Sequence, residues 1–442
     1  MTNPALRNEA APAVRRREIV GWAMFDFANS SYTTLIVTVA FSVYFTKLVA
    51  PGDQADFLWG LGILISNLVV MATSPIVGAT ADDSGRKKFF LAATYLLCVA
   101  GTATLFWVKP GQVTLGLTLF VISNIAYAMG ENLAGAFLPE ISTPKNIGRI
   151  SGFGWGLGYF GGLACLAACW PLLAGGFTSD NVDNLRLAWL VTAAFFLISG
   201  LPTFLFLRER APRPAAWSFV ASARAGFGHL AETARAIGHF TELVRFLTVF
   251  FLFSCGLMTI IAFASIFAER TLGFTSGELI VLFMALQLFS AGGAFVFGAI
   301  QDRLGARSTI QISLVLWIAV SVAAYFCQTK SFFWAIAIAA GLGIGSLQSA
   351  SRGLVGLFSP VAKSGEFFAF WGLAGKGAYM LGPFVFGALS SWSGSQRIAI
   401  LANGLFFVLG LIGMQLVREE RGLAAASAWN ERAEGASTSP TP

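Results

Sequence analysis

Four ionisable side chains stand where the chain is otherwise apolar. Asp26 lies in GWAMFDFANSSY (Gly21 to Tyr32) and Glu131 in YAMGENLAG; Arg352 follows SAS and precedes GLVGLFSP, and Lys376 sits in GEFFAFWGLAGKGAYMLGP. An unpaired, unhydrated charge in such a setting is strongly disfavoured, so each of these groups is a candidate for function. Asn29 and Thr33 follow Asp26 by three and seven positions, and Asn124, Tyr127 and Glu131 repeat the i, i+3, i+7 spacing, giving each acid one polar helical face. Gln348 precedes Arg352 by one turn. The chemistry open to such a set is an exchange of partners. A carboxylate in a wet cavity can be neutralised by a proton or by a cation, and Lys376 and Arg352 can hold either those carboxylates or that of a bound solute. The amide neighbours would set orientation.

These groups need membrane helices to carry them. The 442 residues are 56% hydrophobic and only 12% charged, which excludes an ordinary soluble domain. Twelve apolar runs of about 20 residues recur, at 20–48, 57–80, 89–108, 113–137, 150–174, 187–207, 245–268, 278–300, 309–327, 331–351, 368–390 and 398–417. Each is long enough to span as a helix, and runs this long exclude a barrel. If the N-terminus is cytoplasmic, the inner segments hold 22 of the 29 Lys and Arg, and the outer gaps hold Lys47, Lys109, Arg186, Arg270, Lys330 and Arg397. That bias places both termini in the cytoplasm. The net charge of +7 then reads as topology and contact with anionic lipid, and not as nucleic-acid binding. Asp26 and Glu131 come to similar depth, each about six residues from the inner end of its run.

The chain repeats itself. GATADDSGRKK after the second run and GAIQDRLGARS after the eighth share Gly78, Asp82 and Gly85 with Gly298, Asp302 and Gly305, while Arg86 has only the displaced Arg307 as a counterpart. Gly148, Phe153 and Gly158 recur as Gly365, Phe370 and Gly375. Two six-helix halves in tandem are the plan of many secondary transporters. The divisions are an N-tail at 1–18, halves at 19–207 and 245–417, a basic linker at 208–244 with the spacing of an amphipathic surface helix, and a C-tail at 418–442 that reads as disordered after Arg421.

The paired loops in a twelve-run chain resemble the signature of the major facilitator superfamily. Four strings, GWAMFDFANSSY, AFLPEIS, GRISGFGWGLGYFGG and SASRGLVGLFSP with GEFFAFWGLAGKGAYMLGP, resemble the branch that holds the vacuolar amino-acid effluxers of autophagy and their bacterial relatives. The resemblance implies an all-α membrane protein of twelve transmembrane helices in two pseudo-symmetric halves, with the four charges around a central cavity. It also implies a secondary active transporter working by alternating access, moving amino acids or similar small zwitterions, with efflux ahead of uptake. Proton coupling would run through Asp26 or Glu131. Gly78, Asp82, Gly85, Arg86, Gly298, Asp302, Gly305 and Arg307 would gate: their glycines let helices approach, and the aspartates receive helix N-terminal N–H groups or pair with bases across the halves.

Plainer readings stand beside these. Arg352 could anchor the inner boundary, Asp26 and Glu131 could staple helices, Lys376 could snorkel, and Pro139 and Glu140 read as a helix stop and an interfacial charge. Other small solutes, such as drug-like cations or peptidoglycan fragments, are the alternative substrates; a non-transporting receptor or scaffold is the alternative class. No His falls in any run, no nucleotide-binding glycine loop is present, and the five cysteines lie in apolar runs without a His or carboxylate cluster. An enzyme, a cofactor and a metal are therefore not expected. The expected setting is a bacterial inner membrane, with the chain as a monomer in contact with lipid, protons and a small-molecule substrate.

Overall fold

The computed structural model describes residues 14–210 and 240–438, and the amphipathic linker helix expected within 208–244 lies almost wholly outside them. Twelve long helices cross from face to face: α1 (Arg16–Val49), α2 (Ala55–Ser84), α3 (Lys87–Thr104), α4 (Val113–Gly135), α5 (Ile147–Leu173) and α6 (Val182–Phe206), then α7 (Thr241–Leu272), α8 (Ser276–Leu304), α9 (Ala306–Phe326), α10 (Lys330–Phe358), α11 (Ser364–Ser393) and α12 (Gln396–Leu416). Eleven contain a stretch long and apolar enough to span by composition alone, and α11 is as long but diluted by glycines and Lys376. Most helices overrun their apolar runs by a few residues, because a helix keeps its hydrogen-bond ladder into the polar zone. Arg352 consequently sits inside α10, more than a turn before its end at Phe358.

The first helix is not uniform. It widens to π-helical turns over Thr33–Val39 and Phe45–Val49, with the Ala40 N–H donating to Leu35 O across five residues. The run TTLIVTV is β-branched at all positions but Leu35, and such side chains crowd the preceding turn of a regular α-helix. Wide turns of this kind cluster at functional sites.

Within each half the helices pack as a bundle, α1 on α5 and α6, and α7 on α11 and α12. Buried indoles anchor both cores: Trp189 meets Phe41 edge-on at 5.3 Å, and Trp317 stacks on Phe407 at the same separation. Between the halves, α5 packs on α8 and α10, and α2 packs on α11.

One sequence expectation fails here. The segment after Arg421 is helical: α13 (Glu419–Thr438) lies against the ends of α7 and α10. Its N-terminal carboxylate, Glu419, accepts the first N–H groups of α9 from Ala306 (3.2 Å) and Arg307 (2.9 Å). Asn430 accepts from the Val361 N–H at 3.2 Å, and Trp429 packs 5.3 Å from the Phe240 ring. The apolar residues of this segment are few, but Leu423, Ala426 and Trp429 recur every three positions and make one sticky face.

Candidate functional site

All eight side chains expected around the cavity line one space of about 830 Å³ between the halves: Asp26, Asn29, Asn124, Tyr127, Glu131, Gln348, Arg352 and Lys376. The cavity reaches the far ends of its helices, at Ser42 of α1, Trp59 of α2, Phe267 of α7 and Phe333 of α10. The charged residues form its floor. Two ion pairs cross between the halves there, each joining an acid of the first to a base of the second.

Arg352 enters a socket built wholly by the first half. Its Nη1 donates to Asp26 Oδ2 at 2.7 Å, its Nε to Ser151 Oγ at 3.2 Å and its Nη2 to Ser151 O at 2.7 Å. The guanidinium lies over the indoles of Trp22 (4.8 Å) and Trp155 (5.2 Å). The side chain is 5% exposed and its acid 13%. Gly154 of α5 makes room: a methyl there would overlap Asp26 and stand 2.6 Å from Arg352 Nη2.

The second pair is loose. Lys376 Nζ lies 3.8 Å from Glu131 Oε2, beyond hydrogen-bond reach, and the two side chains are 21% and 24% exposed. Lys376 also faces the Tyr127 ring at 5.8 Å, and Tyr127 stacks on Tyr32 at 5.1 Å. Asn124 Nδ2 donates to Ser66 Oγ at 2.7 Å, tying α4 to α2, and Gln348 accepts the Tyr159 hydroxyl proton across the halves. Asn29 Oδ1 and the indole N–H of Trp371, both on residues that line the cavity, are buried without a partner among the described residues.

Below the floor, the face that carries the termini is shut. Asp82 Oδ1 and Oδ2 accept the N–H groups of Gly365 (3.0 Å) and Glu366 (2.9 Å) at the start of α11, and Asp302 accepts those of Gly148 (2.8 Å) and Arg149 (3.3 Å) at the start of α5. Carboxylates at helix N-termini are favoured by the exposed N–H groups and the helix dipole. Gly78 meets Gly365, and Gly298 meets Gly148, backbone to backbone with no room for a Cβ. Gly85 takes a left-handed turn (φ 59°) and Gly305 also has positive φ (85°).

The two expected gate arginines have different settings. Among the described residues Arg307 bonds within its own half: its Nε donates to Met414 O (3.1 Å) and its Nη2 to Gln415, closing the end of α12. The base that meets Asp302 across the halves is Arg149, at 3.2 Å. Arg86 is half-buried at the N-cap of α3.

Sequence reasoning missed the strongest buried cluster. Lys87 is 1% exposed, with Asp82 at 3.1 Å and Glu140 at 2.9 Å, and it also donates to Ser364 Oγ (2.6 Å) and Val361 O (3.1 Å) of the second half. Glu140 is thus not an interfacial charge but a fully buried partner. Lys87 looked like one more positive charge of an inner loop, and only its place beside the Asp82 turn hinted otherwise.

Two bundles of six helices, sealed at one face and enclosing a charged cavity open to the other, define a membrane transporter of the major facilitator fold. The chain belongs to the family described as vacuole effluxer Atg22 like, whose model matches residues 61–427. It is 26% identical over 408 residues to the uncharacterized MFS-type transporter YxiO of Bacillus subtilis, covering 90% of this chain and 94% of that one. Autophagy-related protein 22 of Kluyveromyces lactis is 24% identical over 483 residues, covering 95% and 97%. Among solved structures, the human organic anion transporter MFSD10 superposes with a TM-score of 0.71 at 16% identity, covering 90% of this chain and 99% of its own. FucP in its outward conformation superposes at 0.70, also at 16% identity, covering 90% and 98%. At such identities the structures bear on fold alone.

Proposed function

We propose that this protein is a proton-coupled secondary transporter that moves amino acids or similar small zwitterions by alternating access, with export as its working direction. The observation that carries this reading is the cavity floor, where two acids of one half face two bases of the other in a space open to one side only. A site bearing both signs suits a solute bearing both. The family's description as effluxers supports export. Asp26 is the group we assign to the proton: neutralising it removes the charge that holds Arg352 in its socket, so protonation and release of the closed face are linked. The Lys and Arg distribution supports placing the closed face in the cytoplasm of a bacterial inner membrane.

The test is flux in sealed proteoliposomes without ATP, driven by an imposed pH gradient. Amino-acid movement that follows the gradient in the native protein, and that becomes indifferent to pH in Asp26→Asn, is the expected result. Flux in Asp26→Asn with an unchanged pH dependence would remove the coupling role, and stimulation only by organic cations would replace the substrate class.

A further inference from the structure

The two ion pairs on the cavity floor differ in kind. Arg352 has every direction of its guanidinium filled, by Asp26 Oδ2, by both oxygens of Ser151 and by the faces of Trp22 and Trp155. A solute carboxylate could reach it only by displacing a buried, hydrogen-bonded partner, and removing one member of such a pair is strongly unfavourable. Lys376 and Glu131 make no hydrogen bond among the described residues, stand 3.8 Å apart and are each about a fifth to a quarter open to the cavity. Their separation leaves the ammonium's donors and the carboxylate's acceptors available. Around them Gly375 presents no side chain, and a methyl on it would touch only Phe250 at 3.7 Å, so the approach to Lys376 from the cavity is clear.

We infer that the pairs divide the work: Lys376 and Glu131 take the carboxylate and the ammonium of the zwitterion, while Arg352 and Asp26 form a latch that never touches the solute. This rests on the substrate class proposed above. A zwitterion set alongside the loose pair completes a ring of alternating charges, Lys376 ammonium, solute carboxylate, solute ammonium and Glu131 carboxylate, in which each charge has opposite neighbours. Each charge loses water only where it gains a partner. The ring also matters for movement. Lys376 belongs to the second half and Glu131 to the first, so the bound solute becomes the link between halves that the 3.8 Å gap leaves weak. Binding therefore favours closure over the solute, whereas the latch holds the opposite face shut until Asp26 lets go. The wall beyond the ring mixes hydroxyl or amide groups with apolar ones on both halves, Thr34 and Asn67 with Ile63 on the first and Ser254 and Gln287 with Leu257 on the second. A side chain carried by the zwitterion has both kinds of surface within reach.

Binding measured on the purified full-length protein separates these roles. The probes are the twenty amino acids, each as free zwitterion, as methyl ester and as N-acetyl derivative, read by thermal shift and calorimetry. For an amino acid that binds, the native protein should prefer the zwitterion to either derivative by on the order of 30-fold, the loss that accompanies stranding a charged partner. Lys376→Gln should lose its preference over the ester while still rejecting the N-acetyl form, and Glu131→Gln should do the reverse. Asp26→Asn and the milder Arg352→Lys should keep both preferences, whatever happens to overall affinity. If the ester preference instead vanishes in Arg352→Lys and survives in Lys376→Gln, the assignment is overturned while the zwitterion reading stands. If no amino acid binds the native protein, both fall together. A preference that no variant alters overturns the assignment alone.

Discussion

Arg352 shows how much one side chain can be made to depend on the opposite half: its acid, its hydroxyl anchor and both its aromatic walls come from α1 and α5. Its charge at the end of an apolar run was legible from the sequence, as were those of Asp26, Glu131 and Lys376 within theirs, because ionisable residues at such places are rare enough to stand out. The pairing was not legible, since similar depth says nothing about which faces meet. Lys87 and Glu140 were lost for the opposite reason: next to a loop, a charge looks ordinary, and only the three-dimensional path of Val361 and Ser364 across Lys87 makes it a buried hub. A different residue marks the closed face as poised. Gln301 of α8 is 3% exposed between Gly148 and Gly353, and neither its amide oxygen nor its nitrogen has a partner among the described residues. A buried polar group left unsatisfied costs about 1–3 kcal/mol, so closure on this side carries a built-in penalty. Gln301→Leu, of similar volume, should relieve it: the melting temperature is expected to rise by a degree or more, while turnover slows because the closed face opens less readily. A lower melting temperature with normal turnover would remove Gln301 from this role.

Between α2 and α11 the seal depends on two glycines meeting. Gly78 has the Gly365 carbonyl where a side chain would go, and that contact brings Asp82 onto the first N–H groups of α11. Gly78→Leu should wedge the helices apart without touching the cavity floor. Hydrogen exchange at Gly365 and Glu366 is expected to accelerate, because their acceptor moves away, and transport should fall sharply in a protein that still purifies as a folded monodisperse species. Unchanged protection at those amides would mean the helices adapt around the added side chain. The glycine spacing that makes this seal was visible as a repeat, and so was the two-half plan. The π-helical widening of α1 and the packing of α13 were not, because the first is a choice between two ladders available to the same apolar run. The second depends on a docking surface built by residues about 70 to 190 positions earlier in the chain, such as Val361 and Phe240.

Seen whole, the molecule is open on one side and shut on the other, and its five cysteines are all buried. Ser42→Cys, on the open wall of α1, should therefore react with a membrane-impermeant maleimide against a low native background, and only from the far side of the membrane. Labelling should fall as a transported solute draws the halves together; labelling from the cytoplasmic side would reverse the proposed orientation. The seal itself has a further property. Gly78 and Asp82 of the first half meet the start of α11 as Gly298 and Asp302 of the second meet the start of α5, so the two contacts exchange under a half-turn. That is the geometry of an isologous dimer whose partners have been joined in one chain. Two identical subunits placed around such an axis would present every floor residue twice, acid opposite acid and base opposite base. Only the covalent fusion of unlike copies lets the acids keep to one side and the bases to the other, and so gives the floor the polarity that a head-to-tail solute can read.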